Sequence, residues 1–470
     1  MYPRFTRVIY ESGTYKAVKL VKAVFDINEI SLLLALFFSI CKQIYSTLKY
    51  LFIFVIGKLN LKTMQENTSL NRRITVIDAL RGFALLGVLL VHMSQHYSYA
   101  SADTFTTHEP FLSGWNEGAN WFVKTMLSGK FINIFAFLFG MSFFIQMDRA
   151  SKKGLRFEGR FLWRMVVLFL IGIIGNCFYS QDILSIYAFF GVILLFLNRF
   201  KNWVLILIAV LLLTGAPQFL MMGYNELTGT PVQEISFVDA DAGSPRNTEA
   251  TYLESLEHTM TRANAWKLNF QFVKRSRGYV TMAIFILGLV VGRTRFFENV
   301  HLKKRRNWIL LGGFTVLLCI CNFLLDQIPP QESIWKVLQE GEIPSVASMV
   351  LQTLSDVKLM LASSVITMAF IVLYQMKGIG NVLDWLAPYG RMGLTNYVCQ
   401  NIIGACLFAV WACGSTFSFW QPAESLLLGL AIYLVQVVIC KVWLNKFQYG
   451  PLEWLWRSLT YFKAQPFLKK

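Results

Sequence analysis

Asp78, Arg81 and His92 lie within RITVIDALRGFALLGVLLVH (73–92), a stretch otherwise apolar enough to cross a membrane. Ionisable side chains are costly in hydrocarbon and mark functional sites. Arg81 and His92 are eleven residues apart, and eleven steps of about 100° return to nearly the same helix face. Asp78 stands three residues before Arg81, on that side. One helix thus presents an acid, a fixed cation and a titratable base along one stripe, with the base about 16 Å from the cation. Such a stripe suits anion binding at one end and proton transfer at the other. A structural ion pair at the helix mouth and a packed histidine are the plainer reading of the same residues.

The helix must belong to a larger membrane assembly. The 470 residues are 55% hydrophobic and 15% aromatic, with only 15% charged. This is the composition of an all-α integral membrane protein, a polytopic bundle. Against a span of about 20 residues, apolar runs predict ten transmembrane helices. They fall near 76–93, 130–147, 161–179, 183–198, 203–222, 278–292, 308–325, 350–375, 393–412 and 425–444. Basic loops alternate with acidic or neutral ones, which predicts N-in/C-in. The net charge of +17 then reflects cytoplasmic loops beside anionic membrane lipid rather than a nucleic-acid partner. Eight cysteines show neither a disulfide framework nor paired CxxC spacing. Cys399, Cys406 and Cys413, seven residues apart, read as small residues packed between helices.

Four segments follow. Residues 1–63 are an N-terminal extension with no cleavable signal pattern; Met64 could be the true start, or the extension an interfacial appendage. Residues 64–222 form a first membrane half of five helices. Residues 223–277 form an extracytoplasmic loop, in which TYLESLEHTMTRANAWKLNFQFVK (251–274) reads as a surface helix. Residues 278–470 form a second half of five helices. Lys274, Arg275 and Arg277 break the charge alternation at the end of the loop. Long loops tolerate this, and an outer anion-binding patch is the other reading.

Further candidates flank the helices. Asp182 stands at an outer turn, placed either to orient His92 or to cap a helix. Lys130 and Asn133 open the second helix; Lys130 could snorkel or meet an anionic acceptor. His92 and His96 are four residues apart, but no third ligand lies nearby in sequence, so no metal is expected. Thr395, Asn396, Tyr397, Gln400 and Asn401 make a polar cluster suited to interhelical bonds or to a polar cavity. GPLEWLWRSLT (450–460) reads as a short capped helix with a Glu453–Arg457 pair, in which Arg457 is a lesser candidate for a phosphate contact.

Ordered motifs carry a resemblance. In the first half these are RITVIDALRGFALLG, GKFINIFAFLFGMSFF (129–144), RMVVLFLIGIIGN (164–176) and QDILSIYAFFG (181–191). In the second they are GRMGLTNYVCQN (390–401) and FQYGPLEWLWRSLTY (447–461). Together, over residues 70 to about 463, they resemble the YeiB-like bacterial inner-membrane proteins, with that family's C-terminal domain of unknown function 418. The family looks related to the transmembrane acyltransferases, which include the acyltransferase type 3 proteins and heparan glucosaminide acetyltransferase. Arg81 and His92 match the type 3 spacing of arginine, ten residues, histidine. YeiB-like proteins more often carry asparagine at the His92 position, a departure that favours acyl transfer in this chain. Arg160 and Arg164 are one residue too far apart for the type 3 Arg-x-x-Arg motif.

The resemblance implies a multi-pass protein of the bacterial inner membrane. Its activity would be a membrane-bound O- or N-acyltransferase, moving an acyl group from cytoplasmic acyl-CoA to an extracytoplasmic or lipid-linked sugar hydroxyl or amine. On this reading Arg81, Arg160 and Arg164 hold the phosphates of CoA and Asp78 orients Arg81. His92 takes the acceptor proton with Asp182 behind it, and Lys130, Asn133 and Asn396 face the acceptor. A transporter or flippase of an anionic small molecule would use the same buried cations without chemistry, and a purely structural membrane protein would leave them idle. A homo-oligomer stays open.

Overall fold

A helix occupies each of the ten segments that the apolar runs single out. The computed structural model describes residues 75–99, 112–154, 156–228, 251–274, 277–298, 300–332, 334–339 and 344–469. The expectations for residues 1–63, 100–111 and 229–250 lie outside these. The helices are α1 (Thr75–Ser94), α2 (Lys130–Lys152), α3 (Glu158–Asn176), α4 (Leu184–Leu197), α5 (Asn202–Leu213), α6 (Arg277–Arg293), α7 (Lys304–Asp326), α8 (Val346–Tyr374), α9 (Gly393–Phe408) and α10 (Pro422–Lys446). An eleventh, α11 (Pro451–Tyr461), follows. Among the described residues there is no β-strand.

Length separates these helices into two kinds. Among the described residues, five helical stretches are long and apolar enough to cross a membrane: α1, the stretch Asn116–Lys152 that ends in α2, α7, α8 and α10. A sixth is counted if Tyr252–Val273 and α6, bent by 65° at their junction, act as one. At about 1.5 Å per residue, the 14 residues of α4 and 12 of α5 fall short of a hydrocarbon core about 30 Å thick. The fifth predicted helix, 203–222, is broken. Gly215 takes a positive φ of +73° and ends the first piece, and Pro217 sits at the second position of the next, Ala216–Thr228, where a missing N–H costs nothing.

Helix α1 is central. Its apolar window is 72% buried inside the protein, against 11% for α7, which leaves Trp308, Val316, Ile320 and Phe323 facing outward. Close approach needs glycine in two places. A Cβ on Gly140 of α2 would overlap the Phe285 carbonyl of α6, and one on Gly288 of α6 would overlap the Phe137 carbonyl of α2. A Cβ on Gly390 would overlap the Asp78 carbonyl of α1, so the short helix Ala387–Arg391 lies directly on α1.

The connections gather at two ends. At one, Arg293 donates to Asn198 and Phe200 at the end of α4, Arg295 pairs with Asp148, and Trp163 reaches Leu459 of α11. At the other, the Leu112 and Ala423 amides bond Glu424 and Asn116. There too Gln181 meets Ser98 and Lys267 meets the 177–183 turn. Residues 251–274 are helical, as Tyr252–His258 and Asn264–Asn269, each followed by a π-helical turn. A Thr251–Glu254 capping box opens the first.

Candidate functional site

Arg81 is fixed before anything binds. Its Nη1 donates to Asp78 Oδ1 at 3.1 Å and to the Gly390 carbonyl at 3.4 Å, and its Nη2 to Ser142 Oγ at 3.0 Å. The predicted acid–cation pair on α1 therefore forms, with Asp78 almost fully buried. Arg81 faces a cavity of about 280 Å³ between α2, α3, α4, α9 and α11. Arg164, Arg391 and Arg457 line it as well. Phe135, Leu138, Phe139, Phe143 and Leu168 form its apolar wall, and Tyr187 and Tyr397 line it too.

The cavity lining is strongly cationic. Arg164 stacks on the Trp456 ring, 3.7 Å from its centroid, while the Trp456 indole N–H holds the Arg164 carbonyl at 2.9 Å. Arg457 lies over Tyr449 at 5.0 Å. The Nε atoms of Arg164 and Arg457 are buried and meet no hydrogen-bond partner. Buried donors of this kind are rare unless a ligand completes them. Among the lining residues Glu453 is the sole acid, and it does not neutralise them. The expected Glu453–Arg457 pair is replaced: Glu453 Oε1 accepts from the Leu394 and Thr395 amides at 2.7 and 3.1 Å, and Oε2 accepts from the Thr395 hydroxyl. The exposed N-terminal amides of α9 attract the carboxylate more strongly than one turn of helix does. Burial pushes the Glu453 carboxyl above its ordinary range, and the bonds from Thr395 and Leu394 pull the other way.

The other candidates disperse. Arg160 is exposed, 5.8 Å over the Tyr461 ring, and does not line the cavity. Lys130 donates to the Lys124 carbonyl at 3.1 Å. Asn133 accepts from Arg277, and Asn396 bonds the Tyr389 carbonyl and Cys440. Each of these three has a protein partner, although Asn133 Nδ2 meets none, and none lines the cavity.

His92 stands apart from the arginines. It is 8% exposed, its Nδ1 meets no partner, and its ring packs against Tyr179 and Tyr97 at 4.7 and 5.3 Å. His96 lies beyond, 3.4 Å from Ser425 Oγ, and burial lowers its basicity. Asp182 does not bond His92. It is fully buried at the start of α4, where Oδ1 takes the Leu184 amide and Oδ2 takes Asn401, both at 2.9 Å. The capping alternative is the one observed, and burial raises the carboxyl from its ordinary range.

Two residues escape sequence reasoning. Lys267 is 7% exposed and donates to Asn176 Oδ1 at 2.8 Å and to the Asp182 carbonyl at 3.3 Å. On sequence it is one polar residue of a surface helix. Arg391 sits inside the motif GRMGLTNY, whose polar residues drew the attention instead.

Comparison places these residues in a known context. Residues 291–463 match the family described as "Protein of unknown function (DUF418)". The chain is 28% identical over 426 residues to "Uncharacterized protein YxaH" of Bacillus subtilis (strain 168), covering 86% of this chain and 98% of that one. It is 27% identical over 414 residues to an uncharacterized 39.9 kDa protein in the amylase 3' region of Bacillus acidopullulyticus, covering 86% and 98%. Identity to "Uncharacterized protein YeiB" of Escherichia coli (strain K12) is 25% over 436 residues, covering 85% and 99%. The YeiB-like resemblance and the domain of unknown function 418 are thus as expected from the motifs.

Proposed function

We propose that this YeiB-like chain is an integral-membrane acyltransferase that takes an acyl group from cytoplasmic acyl-CoA. The acceptor would be an extracytoplasmic or lipid-linked sugar hydroxyl or amine. The observation that carries the reading is the cavity lined by four guanidinium groups, of which Arg81 is paired with Asp78 while the Nε atoms of Arg164 and Arg457 meet no partner and the one lining carboxylate is committed to α9. Guanidinium groups pair with phosphate oxygens bidentately. The phosphates of CoA would sit among Arg81, Arg164, Arg391 and Arg457. The pantetheine arm would lie along the phenylalanines toward Tyr187 and Tyr397. The acceptor hydroxyl or amine would give its proton to His92 while its oxygen or nitrogen attacks the thioester carbon. The C–S bond would break, and the thiolate would leave and take up a proton.

The topology that suits this chemistry is a multi-pass protein of the bacterial inner membrane with both ends in the cytoplasm. Its support is the gathering of connections. The basic loops around 148–164, 198–202 and 293–306 meet at the end that holds the arginine cavity. The acidic or neutral ones meet at the His92 end. The short helices α4, α5 and α9 would complete spans through the segments that flank them.

Calorimetry with acetyl-CoA, longer acyl-CoAs and free CoA, on the purified protein in detergent, tests the reading. Arg164→Ala should weaken binding at least about tenfold, the loss of one or two charge-assisted hydrogen bonds. A folded protein that binds none of these ligands would overturn it and favour the anion transporter.

A further inference from the structure

The turn 177–183 separates three places. On one side, Tyr179 packs on the His92 ring. On another, the Ile183 amide donates to Tyr397 Oη at 3.4 Å, and Tyr397 lines the arginine cavity. On the third lies the segment 251–274. Tyr252 meets Phe178 and Trp411 at 6.3 and 5.1 Å. Asn264 Oδ1 accepts from Asn176 Nδ2 at 3.1 Å, and Lys267 drives its ammonium between Asn176 and the Asp182 carbonyl. Lys267 therefore ties the turn, at the Asp182 carbonyl, to the last residue of α3, which Asn264 also holds.

A buried ammonium is expensive unless its bonds matter. The segment that supplies it has the marks of a moving part. Two π-helical turns flank Asn264–Asn269, an irregularity common at functional sites. A 65° bend joins the segment to α6. Three of its polar residues, Lys267, Asn269 and Gln271, are buried, and Lys267 reaches the turn at the Asp182 carbonyl. Polar contacts break and reform at lower cost than a packed apolar face does.

We propose that residues 251–274 form a lid and that Lys267 is its latch, holding the 177–183 turn shut between the arginine cavity and His92. Release of Lys267 from Asn176 and Asp182 lets the turn move, and the two places become continuous. The latch stands on its own geometry; its consequence for acyl transfer rests on the function proposed above. A substrate bulky enough to need both places at once can react only with the lid lifted.

Cys177, the first residue after α3 and half-buried beside the latch, reports the opening. A variant keeping Cys177 as its sole cysteine is labelled with a membrane-impermeant maleimide in detergent, with and without Lys267→Met. A second variant keeping only Cys440, buried against Asn396, serves as control. The expected result is labelling of Cys177 at least about tenfold faster in Lys267→Met, the effect of losing hydrogen bonds to a charged group, with Cys440 unchanged. Asn264→Ala, which removes the bond to Asn176 and a local one to the Met260 carbonyl, should give a smaller rise in the same direction, and it decides alone if Lys267→Met does not fold. Unchanged labelling of Cys177 in folded variants, or equal acceleration at Cys440, would overturn the latch. Acetyl-CoA calorimetry on the same proteins keeps the two ideas apart: absent binding removes the donor site and leaves the labelling result standing.

Discussion

Arg160 and Arg164 stand one turn apart on α3, and the fold gives them different surroundings. Arg164 is stacked between Trp456 and the cavity, whereas Arg160 looks outward over Tyr461. An exposed cation contributes little, because water and salt screen it. Arg457→Ala should therefore weaken acetyl-CoA binding at least about tenfold, as Arg164→Ala does, while Arg160→Ala leaves it within about threefold. Calorimetry on the three variants side by side makes the comparison; equal losses would mean that net charge, not the cavity, attracts the ligand. The Asp78–Arg81 pair was legible in the sequence because three-residue spacing on a helix fixes contact. Arg391 and Lys267 were not legible. Their roles arise only when residues 57 and 91 positions away, Gln448 in the cavity and Asn176 under the lid, come to meet them.

At the scale of elements, α11 is part of the site. It supplies Glu453, Trp456 and Arg457 to the cavity and lies along α3. Its start and the start of α9 cap each other: Glu453 takes the Leu394 and Thr395 amides, and Thr395 Oγ1 accepts from the Leu452 amide at 3.0 Å. Burial raises the Glu453 carboxyl above its ordinary 4.5. A folded-state value above the unfolded one means that the folded protein binds the proton more tightly. Stability is then greatest below 4.5 and falls as pH rises through the folded-state value. Glu453→Gln should flatten that slope in melting curves recorded across pH in detergent. A slope that persists in the variant would assign the titration to another group. Helix positions were legible from apolar runs, but lengths were less so. The break at Gly215 comes from backbone geometry, to which hydropathy is blind.

At the scale of the whole molecule, the site belongs to neither half. The match to the domain of unknown function covers 291–463 and includes Arg391, Glu453, Trp456 and Arg457. Arg81, Ser142, Gln146 and Arg164 come from the first half. Helix α1 makes the dependence physical. It is buried between α2, α10 and the Ala387–Arg391 helix, and Tyr433 of α10 donates to its Gly82 carbonyl at 2.9 Å. Removing the first half leaves Tyr433 and Gly390 without α1 and the Gly288 face of α6 without α2, so the second half has no surface on which to close the cavity. Residues 278–470 produced alone should therefore bind no acetyl-CoA. Co-production with residues 64–277 should restore binding to within about tenfold of the intact chain, the remainder being the cost of assembling two pieces. Binding by the second half alone would show that Arg391 and Arg457 suffice, and would reduce Arg81 and Asp78 to the structural ion pair that their spacing also allows.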